Sequence, residues 1–575
     1  MENLHNNLCQ KYSWYDRWHG FSASHHFHWG AFVAVALFLT TSIVTGIMKV
    51  QAETAAVPQY IGVEYYVDPK TGNDDFEGRS PEAPWKTLDN IVSNNFQPGD
   101  KIYLKAGEIY RQTLQVNSSG ALANPIYLSS YGKGAPPVVS ALDTLSDWIH
   151  DSGNKYSRRV SEMPNAIYQD GKLLKYELKY EDLNAPGEWY YNGLDQVLVW
   201  TTDNLSPSEH EIAAAVRSSA LHIVGQSFVT VSGIDFVGSN TTSATDGGAA
   251  LIKNSSYITL RNSTVSSAGA FGLSLIKTSN ARIENNLFEK NGQEVPIDLG
   301  SAVYGQDNVN AMLIKNTIRG NSTNGMKLNG LVGGSVFGND IENNIGSGMV
   351  IIRPAATFIQ QNNIRNNGTE NSGYFGLVFK DSLGGNEVTQ NLITGQLGSG
   401  GLHALGAQDT KIYSNLLYGN QLNGAVIESS FNLWFTDNTI YGLGGGISQY
   451  GLVLRQNREL QVYNNNVFDA LQYAVVSESS QEDLKMDYNN LVGRKAVALW
   501  GEKTYENLDQ LSQVSGTDKH SLSIDPKFTS IFEKDFSLLS DSPLVNAGFP
   551  TPAKVDFDGK IVPVGTAIDI GAFEQ

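Results

Sequence analysis

Residues 360–368 read QQNNIRNNG, a run in which four of nine positions are asparagine. The same burst recurs as IENNLFEKN at 283–291 and VYNNNVFDA at 462–470. Asparagine is a poor helix former and is depleted in strands, so repeated clusters placed just before aliphatic or aromatic residues need a structural reason. Aligned, the bursts share one pattern, apolar-x-x-Asn-x-apolar, at Asn286, Asn316, Asn339, Asn362, Asn391, Asn415, Asn438, Asn465 and Asn489. The successive intervals are 30, 23, 23, 29, 24, 23, 27 and 24 residues. A baseline near 23 with occasional insertions marks a solenoid whose loops vary.

Fourteen residues before most of these asparagines stands a glycine: Gly272, Gly325, Gly348, Gly401, Gly424 and Gly451, with Gly376 one place earlier in its turn. The first and third residues after each glycine are apolar in all seven turns, from Leu273 and Leu275 to Leu452 and Leu454. That is period-two burial, the signature of a strand with one face inward. Two or three strands this short cannot form a globular sheet within one turn, so identical strands of successive turns must pair in parallel. In such a stack asparagine tolerates left-handed or turn conformations, and its amide can donate and accept along the axis to the turns above and below. The expected fold is all-β, a right-handed parallel β-helix. Its eleven or so turns over residues 216–491 would span about 50 Å at about 4.8 Å per turn.

The rest of the chain of 575 residues divides around this core. Residues 61–140 read as opening turns and 141–215 as a small β insert with AIYQDGKLLKY, GEWYYN and QVLVWTT. Residues 492–575 read as a C-terminal cap of the kind a solenoid needs to cover its last turn. Residues 1–52 read as a cytoplasmic tail with a signal peptide or membrane anchor. Within them, positions 30–48 are 19 uncharged and mostly apolar residues, followed by a small-residue cleavage pattern ending at Ala52. Export or display at the outer face of a bacterial membrane is expected, with membrane contact only through residues 30–48. Cys9 is the single cysteine and precedes that run, so the exported part carries no disulfide. The formal charge of -18 disfavours nucleic acid as a partner, and any acidic substrate would need a local basic patch or a bridging cation. A monomer is expected.

Three stretches, YYVDPKTGNDDFEGRSPEAPWKTL (65–88), QPGDKIYLKAGEIY (97–110) and NPIYLSSYGKGAPPVVS (124–140), resemble the opening of exported bacterial β-helix enzymes of the pectin-lyase-like superfamily. That group includes polysaccharide lyases and glycoside hydrolases, so the resemblance implies a polysaccharide partner. Similar inserts sit between the first turns and the main helix of some β-helix glycoside hydrolases. DPKF, DFSLLSDSPLVNAG, DFDGK and DIGAFEQ resemble a closing module of secreted β-helix proteins.

In such rods the ligand lies across an outward sheet face, and the repeat register lists that face here. One column holds Ser274, Lys327, Val350, Val378, His403, Val426 and Val453. The next holds Ile276, Asn329, Ile352, Lys380, Leu405, Glu428 and Arg455. Lys380, His403 and Glu428 fall on three consecutive turns, with Lys327 two turns before Lys380. A lyase needs a base for the proton beside a uronate carboxylate and a cation for the charge that develops. NGMKLNG around Lys327 is similar to the segment carrying the catalytic lysine of one pectate-lyase family. FKDSLGGNEV followed by GLHAL is similar to the lysine-then-basic order of alginate and chondroitin lyases, with His403 in place of arginine. Calcium assists many β-helix lyases, but no clear aspartate cluster accompanies these lysines, which leaves the cofactor open. The expected activity is polysaccharide cleavage by β-elimination. The alternatives are a glycoside hydrolase and a non-catalytic cell-surface polysaccharide binder. For a hydrolase, Asp381 and Glu428, about 9–10 Å apart at two strand spacings, would suit inversion. Asp298 and Asp307, in the long insertion QEVPIDLGSAVYGQDN, could also overhang the face.

Overall fold

A computed structural model describes residues 62–293, 295–370, 372–442 and 450–575. The expected signal or anchor segment lies outside the described residues. Among the described residues no helix is long and apolar enough to cross a membrane. Three stacked sheets make up the coil. Each full turn contributes one strand to sheet 1 (14 strands from Leu114–Val116, the last of them Lys503–Tyr505, a hairpin partner antiparallel to Ala496–Trp500), then sheet 2 (14 strands, Glu64–Val67 to Lys485–Asp487), then sheet 3 (13 strands, Ile109–Tyr110 to Asn490–Gly493). Neighbouring turns pair in parallel and in register, as in Leu377↔Leu402↔Ala425↔Leu452.

All fourteen apolar residues that follow the glycines belong to one continuous core and are at most 2% exposed. Beside that core the glycines form a column of their own. A Cβ on Gly401 would sit 2.6 Å from the carbonyl oxygen of Gly424, and one on Gly424 would sit 2.6 Å from that of Gly451. The turns approach too closely there for larger side chains, which is the packing reason for the repeat.

The asparagines form the expected ladder. Asn415 Nδ2 donates to Asn438 Oδ1 at 3.0 Å, and the Asn415 backbone N–H donates to the same oxygen at 3.0 Å. The pattern runs from Asn286 to Asn489 without a break. The left-handed residue, however, is the one before each ladder position: Asn285, Lys315, Gly338, Gln361, Gln390, Ser414, Asp437, Asn464 and Tyr488 all have φ between 52° and 64°. The ladder asparagine turns inward and hydrogen-bonds, while its neighbour bends the chain. A second ladder stands five residues on, through Asn291, Asn321, Asn344, Asn367, Gln396 and Asn420.

The long interval between Asn286 and Asn316 hides a regular strand. Ser301–Gln306 pairs on both sides in sheet 1, with Ala302 in the glycine register. The true insertion is therefore Gly292–Gly300, which leads onto sheet 1.

Residues 142–215 fold as two small sheets, of four and five strands, around Leu145, Ile167, Trp189, Val197, Val199 and Ile212. Leu142 pairs with Ala215, so the insert leaves and rejoins the coil at one point. The coil continues beneath it, with Val139 paired to Phe236 and Leu114 to Leu221.

At the C-terminal end, helix Leu508–Ser515 sends Leu511 into the main core. The final residues do something else: they run back along the flank of the coil. Phe549 bonds to Asn464, Thr551 to Asp437, Val555 to Ser414, and Asp556 and Phe557 to Gln390. Their Phe573, Ile570 and Leu544 join Phe528 and Phe536 against Leu416, Tyr418 and Tyr441 of sheet 3. The DFDGK and DIGAFEQ motifs supply carboxylates cradled by backbone amides. Asp556 accepts from Lys560 and Glu574, Glu574 from Val564 and Asp569, and Asp569 from Asn546 and Gln575.

Asp437 is fully enclosed under this strap, accepting from Thr551 Oγ1 at 2.6 Å and Asn464 Nδ2 at 2.8 Å. Burial pushes its carboxyl up from 3.8 to about 7. Between those values the folded chain holds a proton that the unfolded chain has released. Stability therefore falls as pH rises from about 4 to about 7, by on the order of 4 kcal/mol, and stays at that lower level in base. Asp437→Asn keeps an acceptor for Asn464 and offers an N–H to the Thr551 hydroxyl. Its melting temperature is expected to exceed wild type at pH 8–9, with the gap closing near pH 4. An identical pH profile for the two proteins would refute this.

Candidate functional site

Sheet 1 presents the two outward columns in the expected order, with Tyr304 and Gln306 supplied by the strand hidden in the insertion. Three consecutive strands, Phe375–Lys380, Gly400–Leu405 and Asn423–Glu428, carry Lys380, His403 and Glu428. His403 Nε2 lies 3.2 Å from Glu428 Oε2. An N–H facing a carboxylate donates to it, which places the proton on Nε2 and leaves Nδ1 with a lone pair. Arg455, on the next strand, reaches the same Glu428 oxygen at 3.5 Å and grips Glu478 with two bonds of 2.6 and 3.1 Å. Glu478 is held below the usual carboxylate range by that guanidinium. Phe375 packs on the imidazole at 4.8 Å between centroids.

The His403 side chain is only 16% exposed. Burial pushes the imidazole below its ordinary 6.5, and Arg455 and Lys380 push the same way against the opposing pull of Glu428. The ring is therefore neutral at pH 7 and able to accept a proton. Lys380, 43% exposed, stands beside it with only a loose 3.9 Å approach to Asp381.

Lys327 faces outward on the same sheet but is not part of this cluster. Its Nζ donates to the Asp298 carbonyl at 3.0 Å, so it ties down the Gly292–Gly300 insertion, which leads into the strand paired with its own. Asp298 does overhang the face, and its carboxylate raises the Tyr374 phenol behind the larger effect of burial. Asp307 and Asp381 sit at the left-handed corner after their strands, with φ of 53° and 51°, on the rim of the face. Among the described residues no group of three or more His, Cys, Asp or Glu side chains is placed to hold a metal ion. Beyond His403 the face turns apolar: Val426, Val453 and Val476 are buried with Phe375 and Tyr473.

The repeat register places Arg455 in the outward column beside Glu428 without giving it a role, and it includes neither Glu478 nor Phe375. Glu478 lies 23 residues after Arg455, one basic repeat, which is the signal that could have found it.

The family model described as "Right handed beta helix region" matches residues 206–333 and 332–491. The chain is a right-handed β-helix protein. A curated relative, a lacto-N-biosidase of Bifidobacterium longum subsp. longum, is 32% identical to this β-helix chain over 155 residues. That match spans 26% of this chain and 9% of the relative's length. Among solved structures, a complex of XylC with xylose superposes at a TM-score of 0.53 with 14% identity, covering 89% of this chain and 99% of that one. This likeness supports the β-helix fold. A GH136 lacto-N-biosidase from Eubacterium ramulus is similar at a TM-score of 0.33 and 15% identity, covering 78% of this chain and 66% of that one.

Proposed function

We propose that this β-helix is a carbohydrate-active enzyme that cleaves a polysaccharide by β-elimination on sheet 1. His403 takes the proton beside the uronate carboxylate, and the C–O bond to the leaving sugar breaks as the C=C bond forms. Solvent water protonates the leaving oxygen, and Lys380 is the cation for the substrate's charge. The observation that carries this reading is a buried, neutral imidazole whose tautomer is set by Glu428 and which stands beside a cation with no close partner. Glu428 is a positioning residue, since its Oε2 is already shared by His403 and Arg455. For the same reason it is poorly placed to serve as one of the two carboxylates of a hydrolase.

The hydrolase reading is favoured by one observation, the 32% identity to a stretch of a lacto-N-biosidase. Incubation with acidic and neutral polysaccharides separates the two. Unsaturated-product absorbance that rises with reducing ends supports elimination, and reducing ends alone support hydrolysis. Retention on a polysaccharide gel with no product would leave a binding protein. We further propose export, on the apolar run at residues 30–48. Recovery of the whole protein from the cytosolic fraction of its source cells would refute this.

A further inference from the structure

Away from the His403 cluster, a cleft of about 420 Å³ opens between the β insert and the Gly292–Gly300 insertion of the coil. That volume lies within the roughly 300–1,000 Å³ of small-molecule sites. From the insert come Lys175, Tyr176 and Trp189, and from the coil comes Gln293. Tyr176 is 36% exposed, and its ring leans on Trp189 at 4.6 Å, making a rigid aromatic wall. Gln293 Oε1 is buried and has no hydrogen-bond partner among the described residues. A buried acceptor left unpaired is costly, and a ligand donor would relieve it. Lys175 is already matched by Glu177 at 2.5 Å and Glu188 at 3.2 Å, so the cleft holds no spare positive charge for an anion.

We infer that this cleft binds a neutral sugar unit, with its apolar ring face on Tyr176 and a hydroxyl donated to Gln293. An aromatic wall, a carboxamide oxygen that lacks a donor and a cation already neutralised suit a neutral pyranose better than a uronate or a phosphate. The insertion that carries Gln293 also carries Asp298, whose carbonyl meets Lys327 on sheet 1. That insertion therefore runs from the cleft to sheet 1, and the cleft would take a distal unit of a glycan that lies along that sheet. In that respect it rests on the proposed function.

Binding of xylotetraose, cellotetraose, chitotetraose and maltotetraose to the full chain, measured by calorimetry, tests the inference, with tetragalacturonate as the acidic probe. At least one neutral probe is expected to bind. Tyr176→Ala and Gln293→Ala should each weaken it by about tenfold, with melting temperature unchanged. Unaltered affinity in both cleft variants, preference for tetragalacturonate, or no binding of any neutral probe would overturn the inference. The two readings fail separately: cleavage unaffected by His403→Ala sinks the catalytic assignment alone, and binding unaffected by the cleft variants sinks the cleft alone.

Discussion

Asn415→Ala is expected to destabilise the protein by about 4 kcal/mol, as several buried polar groups lose partners at about 1–3 kcal/mol each. Asn415 donates to Asn438 Oδ1, to the Val388 carbonyl at 2.9 Å and to the Tyr413 carbonyl at 3.0 Å. Its own Oδ1 accepts both the backbone N–H and the side-chain amide of Asn391 at 3.0 Å. Alanine leaves the buried Asn391 N–H without its acceptor and strips the Asn391 amide and the Val388 carbonyl of one partner each. Denaturant melts should show the midpoint falling sharply, and hydrogen exchange should quicken first in the turns around 388–440. A loss below about 1 kcal/mol would show that the ladder follows the fold rather than holding it.

The second large effect is on chemistry. His403→Ala should lower product formation by about 10² to 10⁴, the usual contribution of a positioned acid or base. Folding should change little, because the imidazole is on the outer face and outside the core. Glu428→Gln tests the positioning role. An amide can still accept from Nε2–H, so most activity should remain at high pH. Loss of the opposing carboxylate should move the acid limb of the rate profile to lower pH, since Glu428 is the group that pulls the His403 pKa upward. In the wild type that limb should lie below 6.5, with a plateau at neutral pH, because the reactive form is the unprotonated ring. A wild-type limb above 7, or full activity in His403→Ala, would place the base elsewhere on sheet 1.

Much of this site could be read directly from the chain. Register in a parallel stack is a local rule, so a 23-residue repeat with alternating polarity placed Lys380, His403 and Glu428 on neighbouring strands and one face. It also placed Lys327 on that face, correctly as to direction. What it could not state was where Lys327 ends: the ammonium reaches a carbonyl of an insertion whose path depends on packing, not on periodicity. The insertion itself was drawn too long, because Ala302 fills the glycine position of its turn and Gly305 replaces an inward aliphatic. The second ladder, through Asn321 and Asn344, was visible at a constant five-residue offset and passed unread.

The sequence by itself determined the coil, its core, its corner and the columns of its faces, because each of these repeats every turn and is enforced by near-neighbour hydrogen bonds and close packing. Only the tertiary structure decided the features that occur once. The Arg455 fork between Glu428 and Glu478 belongs here, as do Phe375 on the imidazole and the strap from Phe549 to Phe557 that seals Asp437. So does the meeting of Tyr176 with Gln293 across 117 residues of chain. These contacts have no period, and they depend on where non-repeating segments find apolar surface and unpaired polar groups once the coil has formed.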